Sequence, residues 1–163
     1  SYMYAKFGED PLPYYEPAAY GPTTMPETMK NDYPFVLTTG ARVQNYFHSE
    51  HKQVPSLRQI TPWPEVDVNE EDAKRLGIEE GDWMWLENQH GKCKYKAKFV
   101  ENYDPRVMQC DHGWWFPEGD PEKFYDVFDL NINNTLPWIP GKSGFGSNYK
   151  SSICKIYKVE EGN

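Results

Sequence analysis

The chain has 163 residues, with 17 Lys and Arg against 25 Asp and Glu, which gives a formal net charge of -8. This length fits one folded domain, and an aromatic content of 16% exceeds what disordered chains carry. The acidic balance argues against a nucleic-acid partner, and no apolar run approaches the ~20 residues of a membrane-spanning helix, so no membrane span is expected.

Residues 1–33 are predicted to be an extended arm. Six of the 14 prolines and half of the 12 tyrosines stand within residues 1–34. Repeated prolines oppose regular helices and central strands, whereas the many rings favour contact with a surface over a free linker. The chain begins at Ser1 without Met, and we expect it to be a piece of a longer protein whose upstream domain precedes the arm.

Residues 34–163 predict a mainly-β domain with short helices. Apolar or alternating segments predict its strands, which are Phe35–Thr38, Glu65–Val68, Trp83–Glu87, Lys92–Phe99, Val107–Cys110 and Ser152–Val159. Alternation over residues 92–99 places four lysines on one face, which indicates a solvated outer face or a guarded edge. Asn69 is suited to cap a two-turn helix that Gly77 ends, and residues 117–147 are typical of a long loop. Short strands in this number predict a β-barrel.

Common catalytic and metal-binding motifs do not occur in the sequence. It contains no nucleophile elbow, no dinucleotide glycine pattern and no phosphate-binding loop. Cys93, Cys110 and Cys154 are widely spaced, which favours buried free thiols. His48 and His51 could share a helix face as metal ligands, but no third ligand suggests itself. We therefore expect no catalytic residue and no metal ligand in this chain.

Four polar clusters at loop positions remain as candidate binding elements. Thr38–Arg42 follows a strand, and its glycine would let backbone N–H groups approach an oxyanion that Arg42 also contacts. Residues 46–49 add ring faces and hydrogen-bonding side chains, residues 131–135 add amides, and residues 142–150 combine glycines with Lys150. Taken singly, each cluster is better explained by turn glycines, ring packing or Asx turns than by binding.

In their order, these clusters resemble a known family. The matching segments are LTTGARVQNYFHSEH (37–51), PEVDVNEEDAKRLGIEEGDWMWLENQHGKCKYKAKF (64–99), DHGWWFPE (111–118), NINNTLP (131–137) and GFGSNYKSSICKI (144–156). They resemble the C-terminal molybdopterin-dinucleotide-binding domain of the dimethyl-sulfoxide-reductase family of molybdenum and tungsten oxidoreductases. The resemblance covers about residues 34–159 and implies a double-psi β-barrel that clamps the cofactor of a larger enzyme.

The resemblance also implies a set of cofactor-binding residues. They are Thr39, Gly40, Ala41, Arg42, His48, Ser49, Asn133, Asn134, Tyr149 and Lys150. Arg42 and Lys150 would offset phosphate charge, and either Asn133 or Asn134 would read a guanine or pterin edge. Asp111, His112 and Trp114 are weaker candidates that would line the funnel towards the metal.

For the whole protein, the family implies a molybdopterin guanosine dinucleotide in its bis form with molybdenum or tungsten. An upstream domain would supply the protein ligand of the metal, and an upstream domain would carry an iron–sulfur cluster. The implied partners are the upstream domains of the same chain and an electron-transfer subunit.

Two other interpretations are compatible with the residues. The first is a non-catalytic β-barrel module that binds carbohydrate or peptide through exposed aromatic rings. The second keeps the barrel but places it with related decarboxylases or chaperone-like ATPases, which the lack of a self-processing serine and of a phosphate loop disfavours.

Overall fold

Six strands close into a barrel in the computed structural model, which describes residues 2–12, 14–39, 42–139 and 150–160. The strands are β1 (Phe35–Thr38), β2 (Glu65–Val68), β3 (Trp83–Asn88), β4 (Gly91–Phe99), β5 (Val107–Cys110) and β6 (Ser152–Lys158). Their order around the barrel is β1–β5–β2–β4–β3–β6. The predicted mainly-β barrel is confirmed, and each predicted strand lies within one residue of its observed bounds.

The helices are short. They are α1 (Tyr2–Lys6), α2 (Glu27–Asp32), α3 (Pro55–Arg58), α4 (Glu70–Arg75) and α5 (Val127–Leu130). The predicted helix is α4, where the Asn69 side chain accepts hydrogen bonds from the N–H groups of Glu71 and Asp72. Gly77 follows with a φ of 71°, which supplies the left-handed stop. No helix in the described parts of the chain is long and apolar enough to cross a membrane.

Two regions contain more helix than the sequence predicts. Helices α1 and α2 lie in the proline-rich arm, because α1 ends before the first proline and α2 occupies the stretch between Pro26 and Pro34. The predicted loop after residue 117 contains α5 and two 3₁₀ helices, Pro121–Asp126 and Ile132–Thr135. Asp120 and Asn131 cap these 3₁₀ helices through their side chains, so the residue types that predict a loop here begin helical turns.

Alternation along β4 separates the barrel interior from its outer wall. Cys93, Tyr95 and Ala97 point inward and are buried, as are Cys110 and Cys154, so the predicted buried free thiols are confirmed. The lysines of β4 lie on the outside, where Lys94 pairs with Asp129 at 3.3 Å and Lys98 with Glu65 at 3.4 Å. Since the barrel is closed, these lysines form an outer face and not a guarded edge.

Strand direction places the long connections at one end of the barrel. β1 and β5 are parallel, β2 and β4 are parallel, and the other four neighbouring pairs are antiparallel. β1, β3 and β5 therefore end where β2, β4 and β6 begin. We call this end the long-loop rim, because it carries the 89–90 hairpin and the described parts of two long connections, residues 39 and 42–64 after β1 and residues 111–139 and 150–151 after β5. The connections 69–82 and 100–106 lie at the opposite, short-loop rim.

Part of the arm packs against the barrel. The Tyr20 ring meets the His90 ring edge-on with centroids 5.0 Å apart, and Met25 is buried. Gly21 lies so close to Ser151 that an added Cβ would stand 3.1 Å from its Oγ. This section of the arm thus reaches the long-loop rim.

Candidate functional site

The two long connections meet at a pair of histidine rings. His48 Nδ1 lies 3.0 Å from His112 Nε2, a hydrogen-bond distance that joins residues 64 positions apart in the sequence. One follows β1 and the other follows β5, which are parallel neighbours. The fold therefore brings together a predicted binding residue, His48, and a weaker candidate, His112.

Backbone geometry holds the His48 segment in an unusual conformation. His48 has a φ of 55°, a left-handed conformation that non-glycine residues rarely adopt. The Trp115 indole donates a hydrogen bond to the Ser49 carbonyl oxygen at 2.6 Å, and Ser49 itself is exposed. Strain of this kind persists only where neighbouring contacts fix it and is concentrated at functional sites.

Arg42 lies at the exposed edge of the same rim. Its guanidinium carbon is 5.6 Å from the Phe47 ring centroid, a cation–π contact that positions the group without a carboxylate. An open groove of about 420 Å³ is lined by residues 42–47. Arg42 therefore presents its charge beside a concave surface.

Lys52 also lies at this site, and the sequence analysis does not single it out. It is 1% exposed, its ammonium donates to the His48 carbonyl oxygen at 3.2 Å, and it lies 3.7 Å from the Tyr46 ring centroid. Burial lowers the pKa of Lys52 to about 8, with Asp111 opposing that shift. Lysine is almost never fully buried, so hydropathy gives no signal for this placement.

Cationic groups surround the histidine pair. Burial comes first among the causes that hold the pKa of His112 below its ordinary value. Positively charged neighbours add to that shift, and they are His48 when protonated, Lys150, Lys52 and Arg42. We call these residues together with His112 the rim cluster. It is a local concentration of positive charge on a chain whose net charge is -8.

Asp111 is the acidic neighbour of the rim cluster. It follows β5, accepts a long hydrogen bond from the Glu65 N–H at 3.4 Å, and is largely enclosed. Burial raises the pKa of Asp111 to about 6. Asp111 is therefore still mostly ionised at neutral pH, and it supplies a single negative charge beside several cations.

Trp114 lies beneath the rim cluster. The residue is 1% exposed and meets Tyr46 edge-on at a centroid distance of 5.7 Å. Lys52 lies 4.5 Å from its ring centroid. The indole is therefore enclosed in this chain and lies against the Lys52 ammonium.

The two asparagines left open by the sequence differ in their surroundings. Asn134 donates its side-chain amide to the carbonyl oxygens of Lys92, at 3.1 Å, and Phe128, so this side chain joins β4 to α5. Asn133 is exposed, and its backbone N–H is bound by Asn131 Oδ1 at 3.0 Å. Of the two side chains, that of Asn133 is the one turned to solvent.

The remaining predicted residues lie partly outside the described structure. Thr39 is buried at the end of β1, and Lys150 is exposed before β6, both at the long-loop rim. Gly40, Ala41 and Tyr149 fall outside the described residues. Within the described ranges, no group of three or more His, Cys, Asp or Glu could hold a metal ion.

Comparison with known proteins agrees with this arrangement. The family model described as "Molydopterin dinucleotide binding domain" matches residues 35–136, from the start of β1 to just beyond the second 3₁₀ helix. This chain belongs to the molybdopterin-dinucleotide-binding domains of the dimethyl-sulfoxide-reductase family. The family that the five sequence segments resemble is thereby confirmed.

Individual relatives are much longer than this chain. A dopamine dehydroxylase of Eggerthella lenta is 39% identical over 156 residues, which are 93% of this chain and 15% of the relative. An acetylene hydratase of Syntrophotalea acetylenica is 35% identical over 75% of this chain and 17% of its own length. The solved structure of acetylene hydratase from Pelobacter acetylenicus superimposes with a TM-score of 0.82 at 30% identity, covering 96% of this chain and 22% of that one.

The chemistry of the rim fits an anionic dinucleotide. Guanidinium and ammonium groups provide charge-assisted donors for phosphate, and Arg adds a planar fork that suits two phosphate oxygens. Three buried side-chain atoms have no hydrogen-bond partner within the described residues, and they comprise two donors, Trp114 Nε1 and Arg58 Nη1, and one acceptor, Gln89 Oε1.

Proposed function

We propose that the long-loop rim binds the phosphates and one base or pterin edge of a molybdopterin guanosine dinucleotide. The observation that carries the assignment is the gathering of Arg42, Lys52 and Lys150 around the His48–His112 pair. Phosphate binding requires such local cations, and contact-range donors outweigh distant surface charges because salt screens those over ~10 Å.

Each part of the proposed site has a distinct task. Arg42 and Lys150 neutralise phosphate charge from the exposed edge, and His48 orients the ligand through a hydrogen bond. Asn133 offers an amide to a base or pterin edge. Thr39, Ser49 and the segment of Gly40 and Ala41 would add hydroxyl and backbone N–H donors, and Tyr149 would contact the ligand beside Lys150.

For the whole protein, we propose a larger molybdenum or tungsten oxidoreductase in which this chain is the cofactor-clamping domain. The great length of its relatives supports this proposal. The cofactor would be present in its bis form and would supply redox chemistry at the metal, while upstream domains provide the metal ligand, an iron–sulfur cluster and the contact with an electron-transfer subunit.

Binding of guanosine diphosphate and of inorganic pyrophosphate to the 163-residue chain tests the site. Isothermal titration calorimetry should detect both ligands, with affinity that falls as salt rises. The double variant Arg42→Ala and Lys150→Ala should bind roughly tenfold more weakly or worse, because two charge-assisted contacts are lost. Lys94→Ala with Lys98→Ala is the matched control on the outer wall.

The same proposal can be tested in the full-length protein. Removing the cations of Arg42 and Lys150 should lower pterin and metal occupancy, measured by pterin fluorescence after oxidation and by elemental analysis. Wild-type occupancy in that variant would contradict the site. A saturable glycan or peptide ligand, together with no affinity for guanosine diphosphate, would instead favour the carbohydrate- or peptide-binding module.

A further inference from the structure

Lys52 carries a buried charge that the described residues do not neutralise. Its side chain is enclosed, and the one hydrogen bond it makes within them is to the His48 carbonyl oxygen at 3.2 Å. No carboxylate in the described part of the chain lies at salt-bridge distance from it, and Asp111 acts from farther away. Burial of an ammonium without a counter-ion is costly, and an anion bound nearby would offset part of that cost.

Aromatic rings and further donors complete the surroundings of Lys52. The ammonium lies over the rings of Tyr46 and Trp114, at 3.7 Å and 4.5 Å from their centroids. Arg58 approaches the same indole, with its guanidinium carbon 5.7 Å from the ring centroid. Ring faces stabilise a cation but cannot remove its charge, so the electrostatic potential beneath His48 stays positive.

We propose that Lys52 is a further positioning residue for the anionic dinucleotide, and this inference rests on the proposed function. Through its hydrogen bond it holds the left-handed backbone of His48, and through its charge it attracts phosphate from beneath the His48–His112 pair. Lys52 therefore acts on the ligand through His48 and through the field, while Arg42 and Lys150 act from the exposed edge.

The charge state of Lys52 gives this role a measurable signature. The groups that face it are Asp111 after β5, Arg58 in α3, and the rings of Tyr46, His48 and His112. Burial brings the pKa of Lys52 to about 8 and that of Asp111 to about 6, whereas the pKa of His112 is lowered and that of Tyr46 is raised. From about pH 7 to about pH 9.5, Lys52 changes charge, whereas the pKa values of Asp111, His112 and Tyr46 lie outside that range.

Pyrophosphate affinity of the 163-residue chain, measured by calorimetry across that range, tests the proposal. Inorganic pyrophosphate loses its own last proton in the same range, so the effect of Lys52 is read as the ratio of wild-type affinity to that of Lys52→Arg, whose guanidinium stays charged. This ratio should fall roughly tenfold as Lys52 loses its proton, since the positive field beneath His48 is lost. Lys52→Met should bind roughly tenfold more weakly than Lys52→Arg at every pH, with the same dependence on pH.

Controls separate this role from a structural one. Lys98→Met removes an outer-wall lysine that pairs with Glu65, and it should bind and titrate like the wild type. Circular dichroism establishes which variants fold, and the wild-type and Lys52→Arg profiles decide the proposal even where Lys52→Met does not fold. In folded protein, the Lys52 side-chain ¹³Cε shift should report a pKa that rises when pyrophosphate binds.

Two results overturn the proposal in distinguishable ways. If the pyrophosphate affinities of the wild type and of Lys52→Arg keep a constant ratio through about pH 8 while Arg42→Ala with Lys150→Ala loses binding, the role of Lys52 is wrong and the proposed site stands. If the wild type binds neither pyrophosphate nor guanosine diphosphate at any pH, the proposed site and the role of Lys52 both fall.

Discussion

Gly113 lies against the backbone of His48 so closely that an added Cβ would stand 3.0 Å from the His48 carbonyl carbon and 3.0 Å from the Ser49 nitrogen. Gly113 also has a φ of 71°, in the left-handed region that favours glycine. The contact packs the segment after β5, which carries His112, directly onto the backbone of His48.

Gly113→Ala should therefore damage the site as well as the stability of the fold. The left-handed φ alone costs about 1 kcal/mol, and the clash with backbone atoms adds to that. Gly77→Ala is the matched control, because Gly77 also has a φ of 71° but an added Cβ there meets nothing within 4 Å. Urea unfolding should show a larger loss for Gly113→Ala. Equal losses, with unchanged imidazole NMR shifts of His48 and His112, would contradict the close contact.

His112 should take up a proton when an anion binds. Burial and the surrounding cations hold its pKa below the ordinary value, and a bound anion offsets those cations, so the pKa should rise. His90 is the control, since burial alone lowers its pKa and pyrophosphate should leave it unchanged. NMR titration of both imidazoles with and without pyrophosphate measures the difference. A parallel rise in both would indicate a non-specific effect.

The lowered pKa of His112 also determines how the free energy of unfolding changes with pH. Because the pKa of His112 is lower in the folded chain, the unfolded chain binds more protons near and below pH 6.5. The free energy of unfolding should rise with pH through that range and level off above it. His112→Asn should flatten this part of the pH profile, measured by urea unfolding.

Asp111→Asn should stabilise the chain at neutral pH. Burial raises the pKa of Asp111 to about 6 from an ordinary 3.8, so the charged carboxylate is disfavoured in the folded state. The penalty is absent below the ordinary pKa, grows as pH rises towards 6, and then stays constant at about 1–3 kcal/mol. The free energies of unfolding of the wild type and of Asp111→Asn, compared at about pH 4 and at about pH 7.5, measure this penalty.

Asp82→Asn is the matched control and should have the opposite sign. A hydrogen bond from Lys158 lowers the pKa of Asp82, so its charge stabilises the fold above its ordinary pKa. That stabilisation is lost as pH falls through the folded pKa. Asp82→Asn should therefore destabilise at neutral pH, and a gain in both variants would argue against the enclosure of Asp111.

We expect Asn134 to be a structural residue and Asn133 to face the ligand. Asn134→Ala leaves two carbonyl oxygens without their donor and should lower the free energy of unfolding by about 1–2 kcal/mol. Asn133→Ala should leave stability unchanged and weaken guanosine diphosphate binding more than pyrophosphate binding. If Asn133→Ala affects neither ligand, the amide contact with a base edge is wrong.

Local sequence patterns predicted the strands well, because the alternation that marks a strand involves only residues that are close in the sequence. The alternation of Lys92 to Phe99 fixes which side of β4 faces inward, and Asn69 with Gly77 bounds α4. The prediction of an extended arm was wrong for α1 and α2, because both helices lie in stretches of the arm that contain no proline. The short helices after residue 117 escaped prediction because Asp and Asn favour loops and helix caps alike.

Residue types predicted part of the candidate site. The prediction was incomplete where the arrangement of side chains depends on long-range packing. His48 and Arg42 were expected from their segment, but the pairing of His48 with His112 spans 64 positions and needs the parallel β1–β5 contact. Lys52 escaped prediction because nothing local indicates that a lysine will be enclosed by Tyr46 and Trp114. Only the fold supplies that information.

The alternating strand directions also determine where covalent attachments can be made. β1 starts and β6 ends at the short-loop rim, and since Phe35 pairs with Cys154, the last residue of β6 is about 13 Å farther along. A short linker could join these two ends, and new termini could be opened within residues 100–106 without crossing the histidine pair. Circular permutation of the barrel would thus leave the histidine pair uninterrupted, but it would require removal of residues 1–34 and would so remove the contact of Tyr20 with His90 at the long-loop rim.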